Sequence, residues 1–113
     1  MSVEERKAIV RWALQVLWNA GTLEVLDEVV AEDVVVHERG NTLCGSAAVK
    51  DAVATLRASH PELELRVEQQ AGDGDLVATR WTATAGALAA SGIELARFAD
   101  GKVVELWETW HGG

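Results

Sequence analysis

The sequence predicts an α+β fold of three helices and a mixed or antiparallel β-sheet. Two observations predict it. Helical apolar spacing dominates the first half of the chain, and strand alternation fills the second. The expected order is ααβαββββ, over one domain spanning residues 1–113.

Ser2 to Asn19 reads as the first helix. Ser2 and Glu5 have the spacing of a capping box, Lys7, Arg11 and Gln15 mark a polar stripe, and Ile9, Ala13, Val16 and Leu17 form the apolar face. Gly21 ends this helix. Thr22 is placed to cap a second one, in which Leu23, Leu26, Val29 and Val30 recur at helical spacing. The β-branched run Asp33 to Glu38, DVVVHE, predicts a strand. A third helix follows in SAAVKDAVATLRAS, with Ser46 as its cap, Val49, Ala52, Val53 and Leu56 on one face, and His60-Pro61 as its stop.

The remainder reads as strands. Leu63, Leu65 and Val67 alternate with Glu64, Arg66 and Glu68, the pattern of a sheet with one wet face. GDGD at 72–75 predicts a hairpin turn, and Leu76 to Ala85 a long strand. Gly86 to Ser91 is then expected to connect to a strand from Gly92 to Phe98. A tight turn at 99–101 leads into a last strand from Lys102 to His111.

Composition narrows the function classes. A net charge of −8, from 18 acidic and 10 basic side chains, opposes nucleic acid and anionic membrane surfaces as partners. The acidic opening MSVEERK lacks the basic-then-apolar pattern of a signal peptide, and apolar runs fall short of a membrane helix, so a cytoplasmic location is expected. Cys44 is the single cysteine, which rules out an internal disulfide and a thiolate-rich metal site. The three histidines show no close ligand spacing, so no metal is expected.

Because successive strand residues point to opposite faces, each strand divides into two rows. The last strand places Glu108 among Val104, Leu106 and Trp110. The preceding strand places Glu94 with Ala96 and Phe98, and the first strand places Glu38 with Val34 and Val36. A carboxylate in apolar surroundings loses hydration and is pushed toward its protonated form, and a second carboxylate pushes further. Such groups suit proton transfer near neutral pH. His37 must face away from Glu38, and Arg80, Thr82 and Thr84 form a row that would be polar inside a pocket.

Long stretches of the chain resemble a known family. RWALQVLWNAGTLEVLDEVVAEDVVVHERG, the segment from GSAAVKD to RWTATA, and GIELARFADGKVVELWETW are similar to the SnoaL-like polyketide cyclase group of the nuclear transport factor 2-like superfamily. That resemblance implies that the mixed or antiparallel sheet is curved into a cone, packs on the three N-terminal helices and encloses a pocket. By resemblance to the ketosteroid isomerases of that superfamily, Glu38 holds the place of the catalytic base, Glu94 of the second acid and Trp110 of the last-strand tryptophan, whereas Leu14 replaces a tyrosine. Resemblance to limonene epoxide hydrolases matches Arg80 and Glu108, with Thr82 in place of an acid. Resemblance to SnoaL cyclases points to Glu108, followed by His111.

The expectation is therefore an isomerase-, cyclase- or lyase-type enzyme that uses no cofactor and acts on a small hydrophobic molecule. Glu38, ahead of Glu108, is the base, and Glu94 is a protonated donor. Trp12, Leu14, Arg80, Phe98, Leu106 and Trp110 are expected to bind the substrate. The alternatives are a non-catalytic module that binds a hydrophobic ligand or dimerises, and an epoxide hydrolase-like enzyme. A homodimer is expected through the outer face of the sheet, with Trp81 or Trp107 exposed on it.

Overall fold

The computed structural model describes residues 1–112. Helix α1 (Val3–Gln15) starts on the predicted capping box. Glu5 N–H donates to Ser2 Oγ at 3.0 Å, and Ser2 N–H donates to Glu5 Oε1 at 2.9 Å. A π-helical turn, Val16–Ala20, continues it to Gly21, which takes a left-handed φ of 73° and ends the helix. Helix α2 (Val25–Val29) is shorter than expected: Thr22 does not cap it, and Val30 already belongs to strand β1 (Val30–Glu38).

A short strand, β2 (Asn41–Cys44), follows and pairs antiparallel with β1. Helix α3 (Ser46–Ser59) has the predicted bounds, but its N-cap is Gly45, without a side-chain hydrogen bond, rather than Ser46. Strands β3 (Glu64–Asp73), β4 (Leu76–Ala85), β5 (Leu88–Ala99) and β6 (Lys102–Gly112) complete the chain. The predicted order thus holds with one added strand.

The six strands form one open, curved sheet in the order β2-β1-β6-β5-β4-β3. Among the described residues only the β1–β6 pair is parallel. Three turns differ from or sharpen the expectation. The β3–β4 turn is Gly74-Asp75 rather than all of 72–75. The stretch 86–91 is mostly strand, because β5 starts at Leu88 after a two-residue turn. The β5–β6 turn places Asp100 at φ 51° and Gly101 at φ 80°, the paired positive angles of a hairpin whose twist matches its strands.

The core lies between the helices and the inner sheet face. Val34, Val77, Thr79 and Ala96 are completely buried there, beside Val10, Leu17, Leu26 and Phe98. Asn19 ties the π-turn to β3 by a reciprocal pair: its Nδ2 donates to Leu65 O at 2.9 Å, and Leu65 N–H donates to its Oδ1 at 2.6 Å. Arg57 of α3 donates to the carbonyl of Trp18. These contacts fix the π-turn against β3 and α3, and a cavity lies between the helices and the inner sheet face. No described helix is long and apolar enough to cross a membrane.

Candidate active site

The cavity between α1, α3 and the sheet has a volume of about 1000 Å³ and a largely hydrocarbon wall. Leu14 and Leu17 contribute from the helical side, Val53 and Leu56 from α3, and Val36, Trp81, Ala83, Leu106 and Trp110 from the sheet. Glu38, Glu94 and Glu108 all line it.

Strand register explains why they meet. Glu108 of β6 is the paired residue of Glu38 in β1 and of Glu94 in β5. Three adjacent strands therefore carry their carboxylates side by side, on the one face that the helices cover. On β4 the next residue in this row is Thr79, which is fully buried and accepts from Gln70 Nε2 at 3.2 Å.

Their electrostatics are unequal. Glu94 is only 5% exposed, and burial pushes its carboxyl well above the usual 4.5. The charge of Glu108 and a hydrogen bond between the two side chains push it further in the same direction. Glu108 is also raised, first by burial and then by the charge of Glu38, while the hydrogen bond from Glu94 pulls it back down. The two carboxyls thus titrate as a coupled pair, and burial favours a proton held between them.

The remaining expected site residues divide. Leu14, Leu106 and Trp110 line the cavity. Trp12, Arg80 and Phe98 do not. Trp12 is 45% exposed on the solvent side of α1, and Phe98 is packed into the core. Arg80 lies on the outer sheet face, where its Nε donates to Gln69 Oε1 at 2.9 Å. Arg80 and Glu108 consequently occupy opposite faces, and the epoxide hydrolase-like arrangement does not assemble.

The outer face was expected to carry Trp81 or Trp107; Trp107 lies there, whereas Trp81 faces the cavity. Trp18, also missed in the sequence, joins the wall from the π-turn. A signal for Trp81 was present. Val77, Thr79, Trp81, Ala83 and Ala85 form the more apolar row of β4, and Arg80, Thr82 and Thr84 the more polar one, which is the pattern of a wet outer face. The last-strand row also shifts. A bulge between Arg97 and Phe98 in the β5–β6 ladder inserts Val104, so Val103 takes the inward position that alternation assigned to Val104.

His37 faces outward, as alternation requires. Its Nε2 lies 2.7 Å from Glu105 Oε2, its ring stacks on Trp107 at a centroid distance of 5.5 Å, and Arg97 Nη2 donates to Glu105 Oε1 at 2.9 Å. The hydrogen bonds from His37 and Arg97 hold the Glu105 carboxylate below its usual range, with that of His37 the larger influence. Among the described residues, no group of three or more His, Cys, Asp or Glu side chains is placed to hold a metal ion.

Comparison with known proteins agrees with this architecture. The profile of the SnoaL-like domain matches residues 9–106, and the chain belongs to that family, within the nuclear transport factor 2-like superfamily. Among solved structures it is similar to AclR, a candidate hydroxylase from Streptomyces galilaeus, at 27% identity and a TM-score of 0.84 over 97% of this chain and 81% of that one. A candidate polyketide cyclase from Acidithiobacillus ferrooxidans is 25% identical, with a TM-score of 0.82 over 97% and 91% of the two chains. A candidate ketosteroid isomerase from Kribbella flavida shares the fold at 22% identity, with a TM-score of 0.83 over 96% and 79%. No protein of curated function matches the sequence.

Proposed function

We propose that this chain is an acid–base enzyme of the isomerase or cyclase type, which moves a proton on a small, mostly apolar carbonyl compound. The observation that carries the reading is the row of three carboxylates inside a hydrocarbon cavity, one of them raised well above its usual range by burial. Glu38 lines the cavity, is partly exposed, and is the negative neighbour that raises Glu108. It takes a proton from the carbon next to the carbonyl. The Glu94–Glu108 pair, which holds one proton, offers that hydrogen to the oxygen on which charge develops. Glu108 as the base, with Glu94 alone as donor, is the second assignment. This chemistry requires no cofactor.

Hydrogen–deuterium exchange into cyclic ketones and enones, followed by NMR in heavy water, tests the reading without knowledge of the natural substrate. Glu38→Gln should lower the exchange rate by a factor on the order of 10²–10⁴ while leaving the fold intact. Glu108→Gln should have a smaller effect. A fully active Glu38→Gln protein eliminates Glu38 as the base. Failure of the wild type to exchange any of these compounds favours the second class of function, a binder of hydrophobic molecules, which the apolar wall also suits.

We also propose that the outer sheet face pairs with a second copy of the chain. Ile93 is 49% and Trp107 38% exposed there, beside Leu95, in an open groove of about 500 Å³. Such a contiguous apolar surface is typical of an interface.

A further inference from the structure

The outer sheet face joins a titratable cluster to its apolar groove. His37 of β1, Glu105 of β6 and Arg97 of β5 stand on adjacent strands, with His37 Nε2 2.7 Å from Glu105 Oε2 and Arg97 Nη2 2.9 Å from Glu105 Oε1. The His37 ring is also stacked on Trp107, the two planes inclined by 20°. The His37 side chain is 38% exposed, and it borders the groove together with Trp107, Ile93 and Leu95. A second copy seated on Trp107 therefore covers His37 as well.

Charge favours this face for such a contact. Arg97 is matched by Glu105 here, and Arg66 lies 3.8 Å from Glu68, so the surface is close to neutral on a chain of net charge −8. Two acidic copies meet with least repulsion where each is neutral. The balance depends on one proton. With a neutral imidazole, Glu105 and Arg97 cancel; with an imidazolium, the cluster has one positive charge in excess. Nothing nearby offsets it. The β2 partner of His37 is Thr42, which does not ionise, and Arg39, which borders the same groove with its guanidinium 5.0 Å from the Trp110 ring, adds positive charge. The Glu38 and Glu108 side chains belong to the inner face.

Glu105 and Arg97 face His37 within one chain, whether that chain is alone or paired. Pairing adds two things: loss of water around the imidazole, and, in a symmetric pair, a second cluster of the same charge. Both disfavour the imidazolium. The paired state thus binds fewer protons than two separate chains, and acid must favour separation. The overall charge argues the opposite way, because a chain at −8 becomes less negative in acid and its copies repel less. The direction of the pH effect is therefore diagnostic.

We propose that the His37–Glu105–Arg97 cluster is a proton-operated switch of assembly, which keeps a second copy of the chain on the outer face while His37 is neutral and releases it when His37 takes up a proton. This rests on the pairing through that face proposed above and supplies its regulation.

Sedimentation of the chain from about pH 8 to about pH 5.5, the range in which histidine changes charge, tests it. The dissociation constant should rise as pH falls, by up to about a hundredfold per unit, since each of two chains contributes at most one proton. His37→Gln keeps a donor for Glu105 without the charge, and its pair should no longer loosen in acid. His60→Gln and His111→Gln should behave as the wild type. Without any variant, dilution of the wild type in a calorimeter at about pH 6.5 should take up protons, so that the heat changes with the ionisation enthalpy of the buffer. A pair that holds or tightens in acid, or one whose loosening survives His37→Gln, overturns the switch and leaves the pairing standing. A single mass at every pH overturns both.

Discussion

Glu94 makes the site's electrostatics visible in stability. Its folded value lies above the ordinary 4.5, so the folded state binds more protons than the unfolded chain between those two values. Stability must then fall as pH rises through that interval, by about 1.4 kcal/mol for each unit of elevation once the upper value is passed. Glu94→Gln removes the group and should be more stable than the wild type at neutral pH, with a flatter dependence. Urea unfolding midpoints measured from pH 4.5 upward check this, and an unchanged slope would show that Glu94 ionises freely in the fold. This residue was legible in the sequence, because a single carboxylate in a row of Ala96 and Phe98 has no apolar reason to be there. Arg80 and Trp81 were not assigned correctly, because adjacent residues exchange faces with any choice of row, and the polar row was taken as the inner one.

At the scale of elements, the bulge at Val104 decides which valine supports the floor of the site. Val103 is 2% exposed and Val104 is not fully buried, so Val103→Ala should cost on the order of 2 kcal/mol and Val104→Ala clearly less. Equal costs in thermal unfolding would place the bulge elsewhere. Ser2→Ala, which removes one half of the capping box, should cost about 1 kcal/mol. Strict alternation cannot reveal a bulge, since one inserted residue leaves the composition of a strand unchanged. Strand β2 was hidden for a different reason: four residues, including Asn41 and Thr42, carry too little apolar pattern, and pairing with β1 creates the strand. The start of β5 was hidden because Ala89, Ala90 and Ser91 have weak strand preference, and their neighbours in β4 and β6 supply the pairing. Strand β4, by contrast, was legible to the residue, and helix α3 up to the position of its cap, because each combines strong periodicity with a sharp stop.

For the whole molecule, the sheet has two unlike faces: the inner one holds the carboxylates, and the outer one presents Trp107, Ile93 and the His37–Glu105–Arg97 cluster. Sedimentation should report twice the 12.1 kDa chain mass, and Trp107→Glu should return it to the single mass with the fold retained. A wild type of single mass at micromolar concentration would contradict pairing through this face. The central claim concerns the other face, that a buried glutamic acid in the cavity keeps its proton well above the usual carboxylate range, beside a second carboxyl. The direct measurement is a pH titration of glutamate carboxyl carbons, labelled with carbon-13, in the wild type and in Glu94→Gln. One resonance should titrate well above the others in the wild type and vanish in the variant, and a wild type whose glutamates all titrate near 4.5 would contradict the account.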